Sequence, residues 1–143
     1  MATRQLGNIQ VLDTWPVMEW LQQREPAASA FDLLIEQAIR EQIHLIMSRI
    51  NFGEVLYSCW KLYRSDSAQL FADVEALPIE VISVDDLLVN EAARLKARTT
   101  ASYADCFAAA LALRHHAPVV TGDRDFRDLR RVQPDLQLHW LGA

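Results

Sequence analysis

Short apolar runs alternate along this chain with longer segments in which apolar residues recur at the spacing of an amphipathic helix. The short runs predict buried strands at residues 9–12, 44–47, 79–82, 118–121 and 136–140. The longer segments predict helices that begin near Pro16 and at Ser48, and further helices over residues 27–42, 67–75, 85–96 and 102–115. Strands that alternate with helices favour an α/β fold whose central sheet is mostly parallel and is covered by helices on both faces.

The length and composition favour one domain. The chain has 143 residues, 51% of them hydrophobic, so we expect a single domain over residues 1–143 with one real core. No apolar run approaches the roughly 18 residues that span a membrane, and residues 1–7 lack the apolar core of a signal peptide, which predicts a cytoplasmic protein with no membrane contact. Cys59 and Cys106 lie in apolar helical contexts and are expected to be buried free thiols.

Two acidic residues stand where such a sheet forms its binding sites. Asp13 directly follows the first predicted strand, and Asp123 follows the fourth after one glycine. The carboxyl ends of parallel strands meet at one edge of the sheet, so these two side chains are expected at the same edge. Glu54 and Asp105 lie near the starts of helices that can point into that edge. If all four acids meet, they share one pocket.

A pocket of four carboxylates favours a metal ion. Close carboxylates raise one another's pKa, and a divalent cation relieves the repulsion. The oxygen ligands, without matching histidines or cysteines, fit Mg²⁺ or Mn²⁺. Such an ion activates water and stabilises charge on a phosphodiester, which predicts hydrolysis by in-line attack of water.

Four sequence motifs resemble the PIN-domain family, and especially the VapC-type toxins of bacterial toxin–antitoxin pairs. They are Val11–Thr14, Phe52–Leu56, Ala104–Ala112 and Val119–Phe126, and the last two are the more specific. The resemblance covers nearly the whole chain. It implies a PIN-like three-layer α/β/α fold and an endoribonuclease that depends on Mg²⁺ or Mn²⁺.

The resemblance also assigns residues and partners. By motif position, Asp13, Glu54, Asp105 and Asp123 carry over as the catalytic and metal-binding quartet, and Thr121 as the hydroxyl that orients ligands beside them. The family implies an RNA substrate, for which tRNA and rRNA are candidates, a homodimer, and a small antitoxin protein that occupies the active-site groove.

Each acid also has a purely structural interpretation. Asp13 can cap the helix that begins near Pro16, and Asp105 can form a capping box with Ser102. Glu54 can be a solvated helix residue and Asp123 a turn residue. Four separate explanations are then needed, and they must reproduce the family's order, so the metal site is preferred. Asp125 is assigned an auxiliary or structural role outside the quartet.

The net charge of −5 argues against a protein that coats nucleic acid, because such binding needs Lys and Arg to neutralise phosphates. A local cluster of arginines follows Asp123, namely Arg124, Arg127, Arg130 and Arg131. Two interpretations stay open: a solvated surface, or a rim that grips phosphate beside the acidic centre.

One residue departs from the family pattern. The family commonly has a small hydroxyl residue after Asp-Thr, and this chain has Trp15 followed by Pro16. A haloacid-dehalogenase-type phosphatase needs a second acid at the position of Trp15, so that class is a poor fit. The remaining alternative is a non-catalytic PIN-like module that serves as a binding scaffold. Such a module would be indifferent to metal and to the loss of Asp13.

Overall fold

The computed structural model describes residues 8–64 and 67–143. Within these ranges the elements, in chain order, are β1 (Ile9–Leu12), α1 (Thr14–Leu21), α2 (Ala27–Ile39), β2 (His44–Ser48), α3 (Arg49–Tyr63), α4 (Ser67–Glu75), β3 (Ile79–Ile82), α5 (Asp86–Lys96), α6 (Tyr103–His115), β4 (Val119–Thr121), α7 (Asp125–Val132) and β5 (Leu138–Trp140). The strands and helices alternate as the apolar pattern predicts.

The strands form one parallel sheet in the order β3-β2-β1-β4-β5. From β1 the chain moves outward to β2 and β3, then crosses back to add β4 and β5 on the other side of β1. The direction of winding therefore reverses between β1 and β4, where Leu12 pairs with Val120. In open α/β sheets, the crevice at this reversal point is the usual place for a ligand.

Helices cover both faces of the sheet, as side-chain alternation along the strands requires. Val11 and Val119 pack into a cluster formed mainly by α5, α6 and α7. Their neighbours Leu12 and Val120 point the opposite way, into a cluster formed mainly by α1, α2, α3 and α4. Both strands are buried on both faces along most of their length, which is why Gln10 and Thr121 are their only polar residues. The predicted three-layer α/β/α fold is confirmed.

The main difference from the sequence prediction is α7. No helix was predicted between Asp123 and the last strand, because charged residues dominate Asp125–Val132. Phe126 and Leu129 are three residues apart, and both are fully buried against the α6 side of the core. This pair is enough to hold a short, strongly charged helix on the sheet. The last strand is also shorter than predicted and begins at Leu138.

Two smaller expectations can be compared with the structure. Cys59 and Cys106 are fully buried and free, as predicted. Among the described residues, no helix has the length and apolar character needed to cross a membrane.

Candidate metal centre

Asp13 connects β1 to α1 and is almost fully buried, with 1% of its surface exposed. It is the N-cap of α1, and one oxygen accepts a weak hydrogen bond from the Trp15 N–H at 3.4 Å. The same oxygen, Oδ2, accepts from the Thr121 hydroxyl at 2.9 Å. The other oxygen, Oδ1, is buried without a hydrogen-bond partner among the described residues. A buried carboxylate oxygen without a partner is costly, so this atom is a candidate metal ligand.

Thr121 and Asp123 build the neighbouring wall of the site at the end of β4. The Thr121 hydroxyl, which donates to Asp13, also accepts the Asp123 N–H at 3.0 Å. The Asp123 Oδ1 accepts the Asp125 N–H at 2.9 Å, which fixes the carboxylate at the start of α7. Thr121 thus lies beside the acids in the position that the family resemblance implies. Asp125 contributes its backbone N–H to this site, and the auxiliary or structural role of its side chain stays a prediction.

Asp105 enters from the first turn of α6. The Ser102 side chain caps this helix by accepting the Asp105 N–H at 3.1 Å. The Asp105 side chain is 4% exposed. The predicted cap at Ser102 is therefore present, and it places the Asp105 carboxylate inside the crevice rather than in solvent.

Three of the four predicted acids meet in this crevice. Carboxylate oxygens of Asp13, Asp105 and Asp123 all lie within 4.8 Å of one another. Burial and the neighbouring Asp123 raise the pKa of Asp105 to about 7. Burial, and then the Asp105 charge, raise the pKa of Asp13 well above its usual value. Both shifts show that the site resists holding three negative charges without a cation.

Glu54 lies outside that group of three, as judged from the described parts of the chain. It is half-buried on α3, and its Oε2 accepts a hydrogen bond from the Tyr57 hydroxyl at 3.3 Å. Its charge is still near enough to contribute to the raised pKa of Asp105. Glu54 therefore stands at the edge of the acidic group, and its role as a ligand stays a prediction.

Asn51 is a site residue that the sequence interpretation missed. Its amide Nδ2 donates to the Ala104 carbonyl at 3.0 Å, next to Asp105 in the chain. Its own carbonyl accepts from the Thr14 hydroxyl at 3.2 Å, next to Asp13. Asn51 is fully buried, and the Ser48 hydroxyl donates to its Oδ1 at 2.5 Å. It thereby fastens the starts of α1, α3 and α6 together. These contacts span 37 and 53 positions, so local sequence gives no signal for them.

Trp15, the departure from the family pattern, packs on Gly122. A Cβ at Gly122 would lie 2.4 Å from the indole ring, closer than real Cβ contacts come. Gly122 does not have a positive φ, so it is required here by close packing rather than by backbone conformation. The indole thus covers the turn between Thr121 and Asp123.

The donor set fits a hard divalent cation. The residues present offer three carboxylates, one of them with an unpartnered buried oxygen, and neither a histidine nor a cysteine belongs to this group. All-oxygen sites of this kind suit Mg²⁺ or Mn²⁺, which often retain water and bind substrate phosphate through it.

Comparison with known proteins agrees with this geometry. The family model of the PIN domain matches residues 11–132, which is most of the chain. The chain therefore belongs to the PIN domain family. No curated protein sequence matches it significantly.

Several solved structures share the fold. VapBC2 from Rickettsia felis, bound to a DNA fragment from its promoter, has a TM-score of 0.68 at 18% identity, covering 92% of this chain and 97% of that chain. A toxin–antitoxin complex from Klebsiella pneumoniae has a TM-score of 0.63 at 15% identity, covering 89% and 94%. VapBC-1 from nontypeable Haemophilus influenzae has a TM-score of 0.66 at 18% identity, covering 93% and 98%. At such low identity the likeness establishes the fold.

Proposed function

We propose that this chain is a metal-dependent endoribonuclease and the toxin of a toxin–antitoxin pair. The observation that carries the proposal is the group formed by Asp13, Asp105 and Asp123 at the reversal point of a PIN-domain sheet. PIN domains are generally nucleases. Burial raises the pKa values of Asp13 and Asp105, so these carboxylates destabilise the fold when they are ionised. Grouped with Asp123, the same carboxylates are well suited to bind a cation.

The ligand assignment follows from the contacts. Asp13, Asp105 and Asp123 would hold Mg²⁺ or Mn²⁺ directly, with Asp13 Oδ1 free for that purpose. Glu54 would complete the quartet from the edge of the site. When bound, the ion supplies Lewis-acid activation of water and neutralises charge on the phosphodiester. Thr121 keeps Asp13 oriented by its hydrogen bond, as partners of metal ligands commonly do.

We further propose a small antitoxin as the protein partner. One of the similar structures, from Klebsiella pneumoniae, is a toxin–antitoxin complex. Ile50 and Tyr57 are exposed on the side of α3 that carries Glu54, and the Tyr57 hydroxyl donates to Glu54 Oε2. Exposed apolar side chains in one area mark protein contact surfaces, and an inhibitor seated there would lie beside the acidic crevice. By family resemblance we also propose a cytoplasmic, single-domain protein that forms a homodimer.

The first test is RNA cleavage. We expect discrete fragments from a labelled panel of tRNA and rRNA-derived RNA in Mg²⁺ or Mn²⁺. EDTA and Asp123→Asn should abolish cleavage, and loss of one metal ligand is expected to reduce the rate by about 100-fold or more. The matched control is Asp135→Asn, which alters an exposed acid between α7 and β5 and should cleave like the wild type.

A second measurement separates metal binding from catalysis. Isothermal titration with Mn²⁺ should give binding for the wild type and Asp135→Asn, and weak or no binding for Asp123→Asn. Mn²⁺ binding without cleavage of any RNA, by protein free of co-purified antitoxin, would favour the non-catalytic binding module instead. Absence of Mn²⁺ binding would contradict the metal site itself.

A further inference from the structure

One arginine of the cluster after Asp123 is held by an aromatic ring. The Arg127 Cζ lies 4.1 Å from the ring centroid of Trp140, which places the guanidinium over the indole. A guanidinium that lies flat on an aromatic ring uses its face for that contact and leaves its N–H donors free in its plane. Those in-plane donors are the groups that match two oxygens of a phosphate.

The stack lies at the same edge of the sheet as the acidic group. Trp140 is the last residue of β5 and pairs with Thr121 of β4. Thr121 in turn donates to Asp13 at 2.9 Å. Arg127 belongs to the first turn of α7, which begins two residues after Asp123. Arg127 is therefore connected to the acidic group in two ways: through Trp140 and the β4–β5 pairing, and through the start of α7, which follows Asp123 in the chain.

The donors of Arg127 are available for a ligand. Arg127 is exposed, and it takes part in none of the ion pairs found in residues 8–64 and 67–143. Arg131, one turn further along α7, instead contacts Asp128 at 3.1 Å. The two arginines share a helix and differ in whether a carboxylate already neutralises them.

The indole is itself fixed in place. Gly142 packs against its edge so closely that a Cβ there would lie 2.8 Å from Trp140 Nε1. The Leu141 N–H donates to the Thr121 carbonyl at 2.8 Å, which extends the β4–β5 pairing past Trp140. A side chain held on such a platform loses little rotamer freedom when it binds, which favours affinity.

We propose that Arg127 binds a backbone phosphate of the RNA beside the cleavage site and that Trp140 is the positioning residue that holds it there. This inference rests on the proposed nuclease function and deepens it by choosing one residue from the arginine cluster. The contact is to phosphate, so it supplies affinity and register without reading the base sequence.

The test is RNA binding, measured apart from cleavage. All proteins carry Asp123→Asn, and fluorescence anisotropy with fluorescein-labelled tRNA in Mg²⁺ gives Kd at several salt concentrations. Arg127→Ala should weaken binding about tenfold, the value of one charge-assisted hydrogen-bonded contact. It should also reduce the slope of log Kd against log salt by about 0.7 to 0.9, the value for one lost phosphate contact. Arg131→Ala, the matched control, should change Kd by less than about twofold, as expected for an exposed, already paired charge.

Two further variants separate charge from positioning. Arg127→Lys keeps the charge but not the planar fork, so it should retain the salt slope and still weaken Kd. Trp140→Leu should likewise retain the salt slope and weaken Kd. Trp140→Phe keeps an aromatic face and should bind RNA with most of the affinity measured with Trp140 intact. A purely structural role for Trp140 would lower the melting temperature by circular dichroism and leave Kd unchanged.

Each outcome decides the inference. Equal Kd and equal salt slope for Arg127→Ala and Arg131→Ala would overturn it, while the nuclease assignment would stand on RNA cleavage by the chain with Asp123 intact. Failure of the Asp123→Asn protein to bind tRNA at low salt would also overturn the inference. If, in addition, the chain with Asp123 intact cleaves no RNA, the proposed function fails with it.

Discussion

Asp13 shows how one side chain serves both the fold and the site. One of its oxygens caps α1 and accepts from Thr121, and the other is buried without a partner in the described structure. The capping interpretation and the metal interpretation of this residue are therefore not exclusive. A carboxylate fixed on one side by the fold leaves its second oxygen oriented for a cation, as preorganised ligands require.

Trp15 and Gly122 are expected to be energetically coupled. Gly122→Ala would place a methyl group 2.4 Å from the indole, so the ring or the turn before Asp123 must shift. We expect a loss of about 1–3 kcal/mol in the free energy of unfolding, typical of overpacking. In a Trp15→Ser background, the same Gly122→Ala change should have little effect, because the space is then open.

Urea denaturation of the four proteins in this cycle measures the coupling, which we expect to be about 1–2 kcal/mol for residues in direct contact. Equal effects of Gly122→Ala with and without the indole would show that the contact does not determine the choice of glycine. Mn²⁺ affinity of the same proteins shows whether displacement of the turn reaches Asp123.

The starts of three helices converge on the acidic group. Asp13 caps α1, Asp105 lies in the first turn of α6, and Glu54 lies on α3. Helix N-termini carry partial positive charge and stabilise nearby carboxylates by a few tenths to about 1 kcal/mol each. This effect applies to Asp13 and Asp105, which lie at the starts of their helices, although their raised pKa values show that burial dominates.

Asn51 is predicted to stabilise the arrangement in which the starts of α1, α3 and α6 lie close together. Asn51→Ala removes the bond to the Ala104 carbonyl and leaves Ser48 without its acceptor, so the free energy of unfolding should fall by about 1–3 kcal/mol. Mn²⁺ should bind about tenfold more weakly, because the helices that carry Glu54 and Asp105 lose a shared anchor.

The control is Asn90→Ala, at an exposed position of α5, which should change stability by less than about 0.5 kcal/mol. Chemical denaturation and isothermal titration calorimetry measure the two effects. If Asn51→Ala lowered stability but left Mn²⁺ affinity intact, Asn51 would be a core residue with no influence on the site.

The predictability of the fold follows from the range of the interactions that determine each element. Strands β1 and β4 are buried on both faces, so their apolar runs identify them, and the parallel topology then brings Asp13 and Asp123 together. Helix α7 was missed because it rests on only two buried residues, Phe126 and Leu129, among charges. The contacts of Asn51 and the packing of Trp15 join distant segments, and no local pattern encodes them.

The whole chain has a net charge of −5, and three of its acidic residues, Asp13, Asp105 and Asp123, are grouped in the crevice of the candidate metal centre. Acid at a metal site does not repel RNA once a cation is bound, and Arg127, in the first turn of α7, lies at the same edge of the sheet as the carboxylates. Substrate affinity is therefore expected to depend on local arginines rather than on overall charge, and the cation is required for cleavage.

Stability in EDTA is predicted to fall as pH rises through the titration of the acidic group. Asp105 has an ordinary pKa of 3.8 when unfolded and about 7 when folded, so between these values the native state binds more protons than the unfolded state. The free energy of unfolding therefore decreases with increasing pH across this window and levels off above about 7. Asp13, whose pKa is also raised, contributes with the same sign.

One other group acts in the opposite direction within this window. Burial lowers the pKa of His115 below its ordinary 6.5, so this group favours the folded state more as pH rises toward 6.5. The hydrogen bond from Arg114 lowers the pKa of Asp85, but that contribution lies below pH 3.8 and is constant over the range measured. Asp105→Asn separates these contributions, because it removes the carboxyl group with the raised pKa and leaves Asp85 and His115 unchanged. The difference in the free energy of unfolding between the wild type and this variant should therefore show the pH dependence that comes from Asp105 alone.

The measurement is the melting temperature from pH 5 to pH 8, with EDTA or with Mn²⁺. In EDTA the wild type should lose about 5 °C relative to Asp105→Asn over this range, equivalent to roughly 1–2 kcal/mol for a domain of this size. Saturating Mn²⁺ at pH 8 should restore and exceed the loss, since a ligand at 100 times its Kd adds about 2.7 kcal/mol. Asp105→Asn should gain much less from Mn²⁺. Parallel pH profiles for the two proteins, with equal responses to Mn²⁺, would contradict the prediction. They would mean that Asp105 does not cause the loss of stability at high pH and that the acidic group does not bind the ion.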